Sequence, residues 1–204
     1  VHLVRTGSSF SGGSLTSSTG ARLLFDSGVF TVDGTLTGAP AGTVELDVGA
    51  TLTAAVSGAT LSFTGTGFQW TGGTIGATGS GVITNTGLFV LTGTSAKTLT
   101  QTTLRNESTT TLESTGNLVL NTNAVFENQV SALFEVKSDA DLDIITASGT
   151  QFTNRGTFRK SGGAGETTFD IPIDNQNGAF EVQTGEVHLV RTGGQYDGGT
   201  YSAA

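Results

Sequence analysis

The chain has 204 residues, of which 31 are glycine and two proline, and it carries a net charge of −8 with only nine Lys plus Arg. That length allows one domain with a sizeable core, and the acidic balance argues against a nucleic-acid backbone or an anionic membrane surface as partner. Cysteine is absent, which removes disulfides, thiolate metal sites and cysteine nucleophiles together, and no apolar run reaches the roughly 18 residues needed to cross a bilayer.

In chain order, the first element is the alternating strand Val1-His2-Leu3-Val4-Arg5-Thr6-Gly7, in which His2 lies between apolar residues and should point outward. The chain opens inside this strand and contains no methionine, so we expect an excerpt of a longer protein. A glycine followed by an apolar strand of period two then appears at Gly28-Val29-Phe30-Thr31-Val32 and Gly42-Thr43-Val44-Glu45-Leu46. It returns at Gly87-Leu88-Phe89-Val90-Leu91, Gly116-Asn117-Leu118-Val119-Leu120, Gly178-Ala179-Phe180-Glu181-Val182 and Gly185-Glu186-Val187-His188-Leu189. Between the second and third of these, Phe68 and Trp70 share one strand face and are expected in the core. Gly79-Ser80-Gly81 reads as turn material and not as a phosphate loop.

A second signal begins at residue 83: an apolar residue, any residue, then Asn. It recurs at Ile83-Thr84-Asn85, Leu104-Arg105-Asn106, Phe126-Glu127-Asn128, Phe152-Thr153-Asn154 and Ile173-Asp174-Asn175, with the asparagines 21, 22, 26 and 21 residues apart. Strong helix formers never cluster at helical spacing, and abundant β-branched residues and glycine favour strands and turns. Strands this short make poor isolated hairpins. A coil of about 21 residues with three short strands and three turns is the arithmetic of a solenoid. The predicted fold is all-β: one right-handed parallel β-helix over residues 1–204, with about nine to ten coils of roughly 21–22 residues each.

Stacked coils would place Asn85, Asn106, Asn128, Asn154 and Asn175 in one ladder, each amide both donating and accepting along the axis. A corner position with φ > 0 would also suit asparagine. The wider gap implies roughly four or five inserted residues between Asn128 and Asn154. The same register sets Arg105 beside Glu127. The core expected from the alternation is Leu23, Phe25, Phe30, Val32, Leu46, Phe89, Leu91, Leu118, Leu120, Phe126, Phe152, Phe158, Phe180, Val182, Val187 and Leu189.

A larger repeat overlies the coils. Val1-His2-Leu3-Val4-Arg5-Thr6-Gly7 returns letter for letter as Val187-His188-Leu189-Val190-Arg191-Thr192-Gly193, an offset of 186 residues. The match continues more loosely from Phe10-Ser11-Gly12-Gly13-Ser14-Leu15 to Tyr196-Asp197-Gly198-Gly199-Thr200-Tyr201. The offset is close to nine coils of about 21 residues, so we read one large repeat (1–186) and the start of the next (187–204).

The glycine- and threonine-rich coils, Trp70-Thr71-Gly72-Gly73-Thr74-Ile75, and the stretch Phe152-Thr153-Asn154-Arg155-Gly156-Thr157-Phe158-Arg159-Lys160-Ser161-Gly162 resemble the β-helical repeats of large bacterial surface proteins. The filamentous-haemagglutinin-like and autotransporter-type adhesins are the nearest group. This resemblance covers most of the chain and rests on repeat style. It implies a right-handed parallel β-helix, export, and a role in adhesion or fibre building, and it carries over no functional residues.

Few residues are grouped in a way that suggests chemistry. His2 and His188 occupy equivalent places in the two copies, too few for a catalytic triad or a three-histidine zinc site. Asp139, Asp141 and Asp143 share one strand face and form a weak candidate Ca²⁺ site; an EF-hand is excluded by Ile144 and Thr150 at its glycine and glutamate positions. In the simpler reading Ala140, Leu142 and Ile144 face the core and the aspartates are solvated. Glu45 with Asp47, or Asp170 with Asp174, would have to serve as a glycosidase pair, and nothing distinguishes them from exposed strand residues. Thr35-Leu36-Thr37, Thr51-Leu52-Thr53 and Thr98-Leu99-Thr100 invite an ice-binding reading, although their spacing does not match consecutive coils. The expected function is therefore a structural rod at the bacterial surface, with no catalytic residues and no cofactor. Its partners would be neighbouring copies of the repeat, end to end, and a surface glycan. An ice-binding solenoid or a polysaccharide-degrading β-helix enzyme is the alternative, to be recognised by a flat threonine face or a carboxylate-lined groove.

Overall fold

The computed structural model describes residues 1–76 and 81–204; the turn expected at Gly79-Ser80 lies outside them. Among the described residues there are 24 strands and no helix. The first coil holds β1 (His2–Val4), β2 (Ser8–Phe10) and β3 (Gly13–Ser14). The second and third coils are each one strand bent round the whole turn, β4 (Arg22–Gly38) and β5 (Thr43–Phe63). Bending without a break needs glycine: Gly28 has φ +101°, and a Cβ there would come within 2.5 Å of the Arg5 carbonyl oxygen.

From the fourth coil onward each turn of the chain is split into three. These coils are β6 (Phe68–Trp70), β7 (Gly73–Ile75) and β8 (Ile83–Asn85); then β9 (Leu88–Leu91), β10 (Lys97–Thr100) and β11 (Thr103–Asn106). The sixth holds β12 (Thr109–Leu112), β13 (Leu118–Asn121) and β14 (Val125–Asn128), and the seventh β15 (Leu133–Val136), β16 (Leu142–Ile144) and β17 (Gln151–Asn154). The eighth holds β18 (Thr157–Lys160), β19 (Glu166–Phe169) and β20 (Ile173–Gln176), and the ninth β21 (Ala179–Val182), β22 (Glu186–Leu189) and β23 (Gln195–Asp197). β24 (Thr200–Ala203) begins a tenth layer.

Strands pair in parallel with the strand one coil away, giving three faces. On the first, His2, Leu24, Glu45, Gln69, Val90, Thr111, Glu135, Arg159, Glu181 and Ser202 stand in one column. Steps along that column are 21 to 24 residues, a wider range than the 21–22 expected. Extra residues sit in particular turns. The insertion expected between Asn128 and Asn154 is split between two turns, with two extra residues between β14 and β15, where Val130 is exposed, and two between β16 and β17, where residues 145–149 are exposed.

Inward residues fill the interior as stacks. On the third face Phe126 lies on Phe152 with ring centroids 5.0 Å apart and planes 3° from parallel; on the first face Phe134, Phe158 and Phe180 form a second stack at 5.7 and 4.3 Å. Phe68 and Trp70 are fully buried, as expected. The expected core holds for the middle coils and fails toward the ends. Leu23, Val182 and Val187 are half-buried and Leu189 is 38% exposed. Val182, Val187 and Leu189 lie on the ninth coil, which has little of the molecule beyond it.

The large repeat is not a whole number of coils. β1 lies on the first face, in register with β4, whereas β22 lies on the second face beside β19. The two identical heptapeptides are thus separated by eight coils and one further strand, and the estimate of nine coils is corrected accordingly. Coils longer than 21 residues account for the difference.

Candidate functional site

The third face carries the most ordered polar feature. Asn85, Asn106, Asn128 and Asn154 each donate Nδ2 to the Oδ1 of the next asparagine, ending at Asn175, at 2.8, 2.9, 2.9 and 2.8 Å along the four steps. The second amide hydrogen goes to a backbone carbonyl, for example Asn106 to Leu133 at 2.9 Å and Asn128 to Thr157 at 3.0 Å. All five side chains are buried, so these bonds satisfy groups that water cannot reach. Their common direction lets each bond polarise the next. A Cβ at Gly178 would sit 2.4 Å from Asn154 Nδ2, which is why a glycine follows this part of the ladder. Leu61 stands opposite Asn85 at the start of the ladder and Tyr196 opposite Asn175 at its end, where Asn175 also donates to Tyr201 Oη at 2.6 Å.

The ladder asparagines do not take the φ > 0 corner expected of them. They have ordinary strand backbone, and among the described non-glycine residues φ > 0 is adopted instead by Gln101, Thr122, Asn123, Ser131 and Asn177. Their side chains, not their backbone, select the residue.

Two lysines that sequence reading passed over point into the corner between the first and second faces, and both are fully buried. Lys97 donates to the Gly93 and Gly116 carbonyls at 3.0 Å each, and burial pushes its pKa down to about 8. Lys160 is better served, reaching Ser138 O, Gly162 O, Thr167 Oγ1 and the Asp139 carboxylate at 2.9 Å. An inward lysine breaks the apolar alternation. Lys160 occupies a strand position whose neighbours one coil away are Val136 and Val182.

Asp139, Asp141 and Asp143 point outward on the second face, while Ala140 and Leu142 are buried and Ile144 is half-buried. Each carboxylate is engaged across a coil step. Asp139 accepts from Lys160 and from Gly165 N–H at 3.0 Å, Asp141 from Thr168 N–H at 2.8 Å, and Asp143 from Asn117 Nδ2 at 2.7 Å. The Lys160 hydrogen bond holds the Asp139 carboxyl below its usual range. Burial, followed by the charges of Asp141 and Asp170, raises Asp143 despite the bond from Asn117.

The other candidates are dispersed. Glu45 is buried and paired with Arg22, and Asp47 accepts from the Val48 N–H. Asp170 pairs with Arg191 at 3.3 Å, and Asp174 accepts from Gln176. A groove of about 430 Å³ on the third face is floored by Thr35, Thr60, Thr84 and Arg105; Asp33 is the one carboxylate among its described lining residues. Thr51 and Thr98 share a column but stand two coils apart with Thr74 between them, so the Thr-x-Thr segments are not consecutive rungs, and Thr35 belongs to the third face. His2 contacts Asp26 at 2.9 Å, and His188 lies between Glu166 and Glu186.

These features define a parallel β-solenoid of about nine turns whose order lies in its ladders. No protein-family description, no curated protein and no solved structure matches the chain.

Proposed function

We propose that this chain is a length of structural rod from an extracellular bacterial adhesin or fibre built of tandem solenoid repeats. The observation that carries this reading is the parallel ladder that runs on three faces around an interior of stacked rings and a continuous amide column. In such a stack each coil contacts only its neighbours, so length scales with coil number while stiffness is kept. The partners are neighbouring copies of the repeat, end to end, with a surface glycan as the ligand of the assembled fibre. In a continuous array each large repeat would advance by eight coils and one face, so a given surface feature would turn by one face per repeat.

Small-angle scattering of a tandem of two copies of residues 1–186 tests this. The longest dimension should exceed that of one copy by about 40 Å, the rise of eight and one-third coils at roughly 4.8 Å per coil. Two copies folding side by side, with no gain in length, would overturn the rod.

An ice-binding reading draws on the column Thr51, Thr74 and Thr98. Val29 and Val119 end that column, and two residues after Thr74 the chain has Gly76, just past the end of β7, where the neighbouring strands have Thr53 and Thr100. A regular two-column threonine face is therefore interrupted. Thermal hysteresis measured on the chain separates the readings, since the rod gives none.

A further inference from the structure

The second copy of the heptapeptide has surroundings that the first lacks. On the second face Glu166 stands directly opposite Glu186, and Thr168 directly opposite His188. Glu186 and His188 are two residues apart on β22 and so project from the same side. The ligand atoms of Glu166, Glu186 and His188 lie within 4.8 Å of one another. The imidazole sits between the two carboxylates, Nδ1 at 3.2 Å from Glu166 and Nε2 at 2.9 Å from Glu186. Thr168 Oγ1 donates to the same Glu166 oxygen at 3.1 Å and fixes that carboxylate from behind.

The charge pattern gives an independent reason to look for a cation here. Where charged residues stand directly opposite one another elsewhere in the ladders, their signs differ: Arg105 faces Glu127, Glu135 faces Arg159, and Arg159 faces Glu181. Glu166 and Glu186 reverse that rule. Two like charges in direct cross-strand register repel, and the coil spacing leaves them no room to separate at the backbone.

We propose that Glu166, Glu186 and His188 form a surface site for a divalent transition-metal cation of the Zn²⁺ class. Two carboxylate oxygens supply the charge. The imidazole nitrogen selects for Zn²⁺ over Ca²⁺ and Mg²⁺, which take oxygen ligands. One ring nitrogen and two oxygens make three protein ligands, leaving water to complete a four-coordinate ion. The side chains are exposed and free to turn one imidazole nitrogen and both oxygens onto one ion. His2 supplies a built-in control, because it has the same neighbours in sequence but stands on the first face against Asp26 alone. Sequence reading treated the two histidines as equivalent because Glu166 is 22 residues before His188 in the chain and meets it only through the coil register.

The test is titration of the full chain with zinc sulfate near pH 7.5, followed by calorimetry and by the ring resonances of the two histidines. One Zn²⁺ should bind per chain, moving the His188 signals and leaving those of His2 in place. His188→Ala and Glu166→Gln should each weaken binding at least about 10-fold, and His2→Ala should leave it unchanged. Circular dichroism of the variants confirms that these exposed substitutions keep the fold. The proposal is overturned if no saturable binding occurs below about 1 mM, if His188→Ala binds as tightly as the parent, or if equal Ca²⁺ displaces the zinc.

Discussion

Asn106 donates its amide to Asn128 at 2.9 Å, and Asn128 donates onward to Asn154 at the same distance, so the middle residue satisfies both of its neighbours. Asn128→Leu would leave Asn106 without an acceptor and Asn154 without a donor, both out of reach of water. We expect a loss of about 2–5 kcal/mol in urea unfolding. Asn85→Leu should cost less, about 1–2 kcal/mol, because it strands one ladder amide, Asn106, where Asn128→Leu strands two, the Gly87 N–H it also leaves is only half-buried, and it extends the apolar column that includes Leu61. Equal losses at the two sites would mean that the ladder does not act as a chain.

Truncation of the aromatic stack separates middle from end. Phe152 is fully buried between Phe126 and the ring of Phe169, and Phe152→Ala should cost roughly 3–5 kcal/mol. Leu189→Ala, on the open last coil, should change stability by less than about 1 kcal/mol. Denaturation midpoints of the two variants, at unchanged slope, are the measurement.

Lys97 makes stability depend on alkaline pH. Its folded pKa of about 8 lies below the ordinary 10.5, so between these values the folded chain binds fewer protons than the unfolded chain. Stability therefore rises with pH across that window, by up to about 3 kcal/mol, and is flat with respect to this group below it, where both states are charged. Urea midpoints from pH 7 to 10.5 should climb for the parent and lose that climb in Lys97→Met. A slope that survives the substitution would assign it to another group.

Arg105 and Glu127 stand directly opposite one another and bond at 2.8 Å, but both are partly open to solvent. A double-mutant cycle with alanine at each position should give a coupling of about 0.2–1 kcal/mol that shrinks in high salt. A much larger value would show that the pair is desolvated in solution.

The ladder, the Arg105–Glu127 pairing and the mid-chain core were legible in the sequence for one reason. In a solenoid the spatial neighbour lies one period away, so a spacing of about 21 residues reports contact directly. The alternation of Ala140 and Leu142 with the aspartates gave the inward side of the acidic strand, but not that Ile144 is only half-buried or that each carboxylate is hydrogen-bonded across a coil step. The tertiary structure decided what depends on the exact length of each turn. Steps of 21 to 24 residues accumulate over eight coils until Val1–Gly7 and its identical copy stand on different faces, and a near-constant period cannot reveal that drift. The same register brings Glu166 to Glu186 and His188. It also turns Lys97 and Lys160 inward, where nearby carbonyl oxygens receive them. Alternation gives the side of a strand; only the packed corner shows that a charge can be satisfied inside.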